Sequence, residues 1–252
     1  MSKNQELLLA MENPKKDLQE LLSDNVTVFH PEWGKLTGVD SIISRLKQDL
    51  ETTYDKTCVI SDVETKTSIF VETSIIKTQR SQSIAAPCAI VGQLSASEPK
   101  LIERLAFYYS MFPFSGRSRL RHSFLSPVSC DTIPGVTGVY QDCLARGDKD
   151  GIVATFAENG YFRPPSGNHY QYSGKEKLKE NFASFFAHGG GITLEKCHVI
   201  QQNELCGIEF NVTQVGSKPV PHQAGFGIYE SNKAGDQLVG VRIYDDFIFP
   251  ET

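Results

Sequence analysis

The chain has 252 residues, of which 40% are hydrophobic and 22% charged, and its formal net charge is −5. This composition is normal for a globular protein and excludes a disordered or collagen-like chain. The net negative charge gives no reason to expect binding to nucleic acid or to an anionic membrane, and no apolar run approaches the roughly 20 residues of a membrane span.

The N-terminal segment MSKNQELLLAMENPKK has a short apolar centre at Leu7–Met11, followed by charged residues. It lacks the long apolar region and the small-residue cleavage site of a signal peptide, which predicts an amphipathic first helix and a cytoplasmic protein. The six cysteines are scattered without the CxxC pairs typical of zinc sites. We therefore expect reduced cysteines and neither a metal nor another cofactor.

Two segments repeat the same order of features. Both Leu21–Gln48 and Thr155–Phe182 pass from the end of a helix through a short aromatic strand and a Pro-containing turn to a Gly that opens another helix. The matched pairs are Asn25 and Asn159, Pro31 and Pro164, and Gly38 and Gly174. An internal repeat of this length predicts two copies of one structural unit.

The ends of the two halves also correspond. Both Ala86–Pro113 and His222–Pro250 have an apolar strand, a polar turn and an alternating strand that ends in aromatic residues, as a β-hairpin requires. Alignment of the last strands sets Tyr108, Tyr109 and Ser110 of the first half against Tyr244, Asp245 and Asp246 of the second half.

These repeats predict a first domain at 1–114, a linker at 115–134 and a second domain at 135–252. The linker is rich in Ser, Pro and Arg and has little periodicity. Its cluster of Arg117, Arg119, Arg121 and His122 could contact an anion, but we expect a solvated strap.

The second half has the clearer pattern of secondary structure. Two short helices separated by Gly147-Asp148 precede a helix that begins after Gly174 and carries Phe182 and Phe185 inward. Four strands follow, in the segments ITLEKCHVIQQ, LCGIEFNVTQV, HQAGFGIYES and LVGVRIYDDF. Helices followed by an antiparallel meander predict an α+β unit with the helices packed on one face of a curved sheet.

The second half resembles the SnoaL-like branch of the nuclear-transport-factor-2-like superfamily. The resemblance rests on GDKDGIVATFAENGYFRPPSG, GITLEKCHVIQQNELCGIEFNV, PHQAGFGIYES and the ending RIYDD, and the whole tandem is similar to a set of bacterial two-copy proteins. It implies two cone-shaped domains, each with a pocket between helices and sheet. Because such folds pair sheet to sheet, it also implies that the two halves could pack as an internal pseudo-dimer.

The neighbouring carboxylates of Asp245 and Asp246 are the principal catalytic candidates, because strand interiors are poor in Asp. On an alternating strand Asp245 shares a face with Val241, Ile243 and Phe247, where burial would raise its pKa into the range useful for acid–base chemistry. Tyr244 and Asp246 share the opposite face, and His222 opens the preceding hairpin strand as a further acid or base. The structural alternative is that Arg242 pairs with Asp246 and that Asp245 caps backbone N–H groups.

The sequence also suggests residues for binding a ligand. The resemblance implies that the Pro164-Pro165 turn leads into the helix that covers the cone, and several polar or aromatic residues in each half are candidates for the lining. They are Tyr161, Arg163, Tyr170, Tyr172 and Glu209 in the second half, and His30, Trp33 and Tyr109 in the first. Aromatic residues are equally common in cores, and Glu209 could instead belong to a contact between sheets. Because the first half has Tyr109 and Ser110 where the second has two carboxylates, we interpret it as a structural copy.

Two functions follow from these features. The second half could be an enzyme that uses no cofactor and moves protons on a small hydrophobic carbonyl compound, in the manner of the cyclases and isomerases of this fold. The other possibility is a binding or interaction protein without catalysis. The fold hosts both, so the pocket itself must distinguish them.

Overall fold

The computed structural model describes residues 1–12, 17–49, 51–79, 81–127, 133, 135–187 and 189–248. Its contacts divide the chain into two units, Met1–Arg117 and Ser118–Thr252. Part of the predicted linker (128–132 and 134), together with Cys130, and the C-terminal residues from 249 onward lie outside the described residues. Within the described ranges, no helix has the length and hydropathy needed to cross a membrane.

The first unit combines short helices with one curved sheet. Its described helices are α1 (Lys3–Glu12), α2 (Asp17–Leu21), α3 (Val39–Gln48) and α4 (Phe112–Ser115), and its described strands are β1 (Leu22–His30), β2 (Gly34–Thr37), β3 (Thr52–Tyr54), β4 (Ser61–Glu64), β5 (Ser68–Gln79), β6 (Gln82–Leu94) and β7 (Ile102–Tyr108).

The second unit repeats this arrangement. Its described helices are α5 (Gly135–Arg146), α6 (Lys149–Thr155) and α7 (Lys175–Phe185), with a 3-10 turn at Asn168–Tyr170, and its described strands are β8 (Phe156–Arg163), β9 (Tyr172–Ser173), β10 (Ile192–Gln202), β11 (Leu205–Val215), β12 (Lys218–Ser231) and β13 (Leu238–Tyr244).

Both sheets have the same strand order. The first is ordered β2-β1-β7-β6-β5-β3, with β4 also paired to β5, and the second is β9-β8-β13-β12-β11-β10. Each contains one parallel pair, β1 with β7 and β8 with β13, and the other pairs are antiparallel. The prediction of an α+β architecture with two curved sheets is confirmed, but the sheets are mixed because the first long strand of each unit lies beside its last.

The hydrophobic pattern explains how the second unit forms its core. Along β11, Ile208, Phe210 and Val212 alternate with polar residues and belong to the core cluster. On α7, Leu178 and Phe182 are four residues apart and therefore lie on one helical face, where both are buried. Helix α5 contacts β10 and β12, while α7 contacts β8 and β9, so both helices cover the same sheet.

The matched glycines occupy equivalent positions at helix starts. Gly38 precedes α3 with a φ of 85°, and Gly174 precedes α7 with a φ of 83°. Each donates its N–H to a carbonyl of the preceding long strand, at 2.9 Å. Since a positive φ favours glycine, the repeated Gly in the sequence marks this strand-to-helix turn in both units.

We expect Leu178→Ala to lower the unfolding free energy by about 2–5 kcal/mol, because the side chain is fully buried and its loss leaves a cavity. Urea unfolding followed by far-UV circular dichroism measures this change. Lys179→Ala on the exposed face of α7 is the control and should change the midpoint little. Equal effects of the two substitutions would contradict the packing of α7 described here.

Candidate functional site

A cavity of about 200 Å³ lies inside the second unit, between its helices and its sheet. Its apolar wall comes from α5, α7, the start of β10 and the central strands, with Tyr140, Phe162, Phe182, Ile192, Leu194, Phe210, Val212, Tyr229 and Ile243 in the lining. Apolar cavities of about 150 Å³ are known to admit benzene. The volume of this cavity therefore suits a small cyclic or branched organic molecule.

The inner sheet surface approaches the cavity closely at Gly225. A Cβ built at Gly225 would lie 2.7 Å from the ring of Phe210 on the neighbouring strand, which is closer than side chains pack. Glycine at this position lets the Phe210 ring lie against the backbone of β12, and both residues line the cavity. The shape of this wall thus depends on a residue without a side chain.

Asp245 and Asp246 both line the cavity, at the end of β13. The strand ends at Tyr244, and Asp245 has a φ of 77°, in the left-handed region of backbone conformation. The expectation that strand alternation separates the two carboxylates is wrong, because this turn ends the alternation before Asp245. Asp245 and Asp246 are each only 4% exposed, so both carboxyl groups are buried next to an apolar wall.

The partner of Asp245 is Arg121, which the sequence placed in a solvated strap. The Nη1 atom of Arg121 forms an ion pair with Oδ2 of Asp245, and both side chains are buried. The Arg121 guanidinium also lies 4.6 Å from the ring centre of Phe124. Asp246 accepts a hydrogen bond from the backbone N–H of Arg119 at 2.8 Å, and its own backbone N–H donates to Oδ1 of Asp245 at 2.8 Å.

These surroundings set the charge of Asp245. Burial disfavours the carboxylate form and raises the pKa of Asp245 above its ordinary value of 3.8. The charge and hydrogen bond of Arg121 and the N–H of Asp246 lower this pKa, while the charge of Asp246 raises it. The balance is a raised pKa, which is the direction required of a carboxylate that both accepts and returns a proton.

Two tyrosines, Tyr140 on α5 and Tyr229 on β12, belong to the cavity lining. Tyr140 and Tyr229 have ring centres 5.6 Å apart, and burial raises the pKa of both hydroxyls far enough to keep them protonated at neutral pH. The Gln141 side chain lies beside the Tyr229 hydroxyl and lowers its pKa against the larger effect of burial, and this hydroxyl has almost no surface open to the cavity. Neutral phenols of this kind can donate a hydrogen bond to a bound oxygen.

Tyr244 also lines the cavity, whereas most other predicted residues of the second unit lie outside the lining. The guanidinium of Arg163 lies 4.6 Å from the Tyr244 ring centre. The Tyr161 hydroxyl accepts a hydrogen bond from Arg242 at 2.7 Å. Tyr170 is exposed and Tyr172 packs at the edge of the core.

Glu209 and His222 also lie outside the lining. Glu209 is fully buried, with its Oε2 atom 3.1 Å from Nδ1 of His198, on the strand face opposite to Phe210. The His222 side chain is over half exposed, and its Nδ1 atom lies 3.7 Å from Oε2 of Glu195. The neighbouring Gln223 is the one that lines the cavity, and it holds Ile248 through its amide oxygen at 2.9 Å.

The three predicted residues of the first unit come together in one buried aromatic cluster. The rings of His30 and Trp33 are stacked at 3.8 Å, and the Tyr109 hydroxyl lies 3.4 Å from Nε2 of His30. Backbone N–H groups of Glu32 and Trp33 point at Nδ1 of His30, at 3.2 and 3.3 Å. Nδ1 is therefore the acceptor, and Nε2 carries the proton of a neutral ring.

Charged groups border this cluster. The Tyr109 hydroxyl donates to Oε2 of Glu32 at 2.6 Å, and the same oxygen pairs with Lys77. The Tyr54 hydroxyl lies 3.1 Å from Nε2 of His30. Burial raises the pKa of both tyrosines, so they remain protonated. Glu32, Trp33 and Lys77 also line a polar cleft of about 390 Å³, whose other lining residues are Arg45, Gln48, Asp49, Glu51 and Thr52.

Reasoning from the sequence did not identify Arg121, Tyr140 or Tyr229 as candidate site residues. Arg121 lies in a stretch without periodicity, and Tyr140 and Tyr229 have the spacing of ordinary core residues. The signal that could have identified Arg121 was the excess of Arg in the linker, beside an apolar strand that ends in two carboxylates. Among the described residues, no group of three His, Cys, Asp or Glu side chains is arranged to hold a metal ion.

The raised pKa of Asp245 predicts a specific dependence of stability on pH. The folded state holds its proton more tightly than the unfolded state, so the stabilisation from this group is present below about pH 3.8 and is lost as the pH rises through the folded pKa. The unfolding free energy of the wild type minus that of Asp245→Asn should therefore fall with rising pH across this interval. Urea unfolding from pH 3 to 7 measures the difference, and an increase with pH would show that the pKa is lowered instead.

Comparison with known proteins gives one family match. The sequence model described as SnoaL-like domain matches residues 136–241, which is less than half of the chain. A search of curated proteins found no match.

Several solved structures are similar to part of the chain. An uncharacterised cystatin-fold protein from Novosphingobium aromaticivorans is 18% identical, with 43% of this chain and 93% of that chain aligned at a TM-score of 0.36. A protein from Sinorhizobium meliloti that is described as a polyketide cyclase is 13% identical. The alignment covers 44% of this chain and 94% of that chain, at a TM-score of 0.36. A protein with a ketosteroid isomerase-like fold from Catenulispora acidiphila, in complex with trimethylamine, is 13% identical. The alignment covers 46% of this chain and 88% of that chain, at a TM-score of 0.37. The family match supports a SnoaL-like domain at residues 136–241 of this chain.

Proposed function

We propose that the second unit binds a small, largely apolar carbonyl compound in its cavity and catalyses proton transfer on it without a cofactor. The reaction is an isomerisation, cyclisation or dehydration that begins with removal of a proton beside the carbonyl group. Asp245 is the proposed base. The observation that carries the proposal is a buried carboxyl group with a raised pKa at the wall of an apolar cavity.

The proposed chemistry uses two kinds of polar group. The Asp245 carboxylate accepts a proton from the carbon next to the carbonyl group, so that a C–H bond breaks and an O–H bond forms. The electron pair moves onto the carbonyl oxygen, where a neutral tyrosine hydroxyl donates a hydrogen bond to the developing charge. Tyr140, in the same lining, supplies such a donor. In a site that excludes water, a hydrogen bond of this kind stabilises the transition state more than it would in solution.

The size and polarity of the cavity support the choice of ligand class. Most lining side chains are apolar, and a small number of polar groups fix the orientation, as is typical of small-molecule sites. The volume is below the range of about 300–1,000 Å³ that drug-sized ligands need, which favours a single ring or a short branched chain. Removal of this ligand from water supplies the binding energy, at about 25 cal/mol per Å² of apolar surface.

One observation favours a second candidate function, which is binding without catalysis. Both oxygens of Asp245 already have partners, Arg121 at Oδ2 and the backbone N–H of Asp246 at Oδ1. A carboxylate oxygen has a further lone pair available, so these contacts do not prevent proton transfer. They are also what a purely structural Asp would make, and in that case the cavity is a receptor.

We expect Asp245→Asn to slow proton abstraction by about 10²-fold or more, because the amide cannot act as the base. Exchange of the α-protons of small cyclic ketones and enones with deuterium oxide, followed by proton NMR, measures this step without knowledge of the natural substrate. Asp142→Asn, on the exposed face of α5, is the matched control and should exchange at the wild-type rate. A variant at Asp245 as fast as the wild type would exclude Asp245 as the base, and a wild type that binds but does not exchange these ligands would favour the receptor function.

Filling the cavity tests both candidate functions. We expect Val212→Phe to weaken ligand binding about tenfold or more, because the added ring occupies space that the ligand needs. Overpacking of this kind costs about 1–3 kcal/mol of stability, which leaves a folded protein for the measurement. Thermal shift and calorimetric titration with the same ketones give the affinity, and unchanged binding would place the ligand outside this cavity.

A further inference from the structure

The segment from Ser118 to Leu125 is outside the matched SnoaL-like region, yet its contacts belong to the second unit. The N–H of Ala224 donates to the carbonyl of Arg121 at 3.1 Å, and the N–H of Ser123 donates to the carbonyl of His222 at 3.0 Å. These two bonds form an antiparallel bridge between His122 and Gln223. The segment therefore pairs with β12 beyond the point where β13 ends.

Side chains attach the same segment to the sheet. The Ser123 hydroxyl donates to Oδ1 of Asn211 at 2.6 Å, and the Asn211 amide donates to the carbonyl of Leu125 at 3.3 Å. Asn211 is buried on β11, so the segment is fixed at two neighbouring strands. This attachment limits the freedom of Arg121, which lies two residues before Ser123.

The segment also contributes directly to the wall of the cavity. Ser118 is part of the lining, the backbone N–H of Arg119 binds Asp246, and the Arg121 guanidinium binds Asp245. Each carboxylate at the end of β13 thus has one partner from this segment. Without this segment, the neighbouring buried carboxyl groups of Asp245 and Asp246 would lack the cation of Arg121.

We propose that the segment Ser118–Leu125, which joins the two halves of the chain, is a component of the second unit's site, and that Arg121 is a positioning residue that orients Asp245 and holds it in the carboxylate form. This proposal rests on the proposed function only where it assigns Asp245 as the base. Arg121 does not contact the reacting carbon. It acts through Asp245.

The groups that face Asp245 make this role specific to Arg121. Arg121 provides a positive charge, and Asp246 provides one negative charge and one N–H donor. The other polar side chains in the lining are of uncharged types, and they are Ser118, Tyr140, Ser166, Gln223, Tyr229 and Tyr244. Burial raises the pKa of Asp245, and the charge and hydrogen bond of Arg121 lower it. Removal of Arg121 should therefore move this pKa further upward.

The experiment compares full-length wild type with Arg121→Met, Arg121→Lys and Arg119→Ala. Arg119→Ala is the matched control, because it removes a charge of the same sign from the same segment but keeps the backbone N–H that binds Asp246. Carbon-13 NMR of side-chain carboxyl groups gives the titration of Asp245, which is assigned from the signal missing in Asp245→Asn. Circular dichroism establishes that each variant is folded.

We expect the titration midpoint of Asp245 to rise by about one pH unit or more in Arg121→Met, to rise less in Arg121→Lys, and to stay at the wild-type value in Arg119→Ala. If Arg121→Met does not fold, Arg121→Lys with the same control decides the question. An unchanged midpoint in the Arg121 variants, or an equal rise in Arg119→Ala, would overturn the proposal.

A second measurement separates this proposal from the proposed function. If Asp245 is the base, the pH profile of deuterium exchange should move upward with the NMR midpoint in Arg121→Met, while KM changes little. A wild type without exchange but with the midpoint shift would reject catalysis and still support the role of Arg121 in holding the charge of Asp245. If the pH profile of deuterium exchange moves while the NMR titration midpoint of Asp245 does not, the role assigned to Arg121 is overturned.

Discussion

The site in the second unit depends on one buried ion pair, between Asp245 and Arg121. Asp245 adopts a left-handed backbone conformation that few residues with side chains tolerate, and Asp is one of the more tolerant. This turn ends β13 and directs two carboxyl groups to an apolar wall, where an unpaired charge would be strongly destabilising. The cation that balances the charge comes from a segment 124 residues earlier in the chain. The end of the strand, the wall of the cavity and the path of the joining segment are therefore consequences of the same electrostatic requirement.

The polar groups around the cavity differ in charge and in the proton that each can supply. At the end of β13, Asp245 and Arg121 form an ionic pair, whereas Tyr140 and Tyr229 are neutral because burial raises their pKa. A carboxylate accepts protons and a neutral phenol donates hydrogen bonds, so the lining combines an acid–base group with residues that carry neutral donors. The side chains between them are apolar, which excludes competing water and strengthens each electrostatic contact.

Local patterns in the sequence predicted the fold better than they predicted the site. Strict alternation and the flanking turns gave the bounds of β10 and β11, and the repeated Gly38 and Gly174 marked equivalent turns. The same alternation was followed three residues too far at β13, to Phe247, because a left-handed Asp leaves no signal in hydrophobicity. Arg121 could not be placed either, since its contact is distant in sequence and its neighbours have no period. Burial of Glu209 and the exposed position of His222 follow from which strand face meets the cavity, which one sequence does not specify.

Tyr109 follows β7 as Asp245 follows β13, so one position of the shared strand order carries different chemistry in the two units. In the first unit the Tyr109 hydroxyl bonds Glu32 and approaches His30, so the buried polar groups satisfy one another and stacked rings occupy the interior. In the second unit the residue that follows β13 is Asp245, which pairs with Arg121 and lines an apolar cavity. The two units thus differ in what lies beside this position of the sheet, which is a hydrogen-bonded aromatic cluster in the first unit and a cavity with two carboxyl groups in its lining in the second.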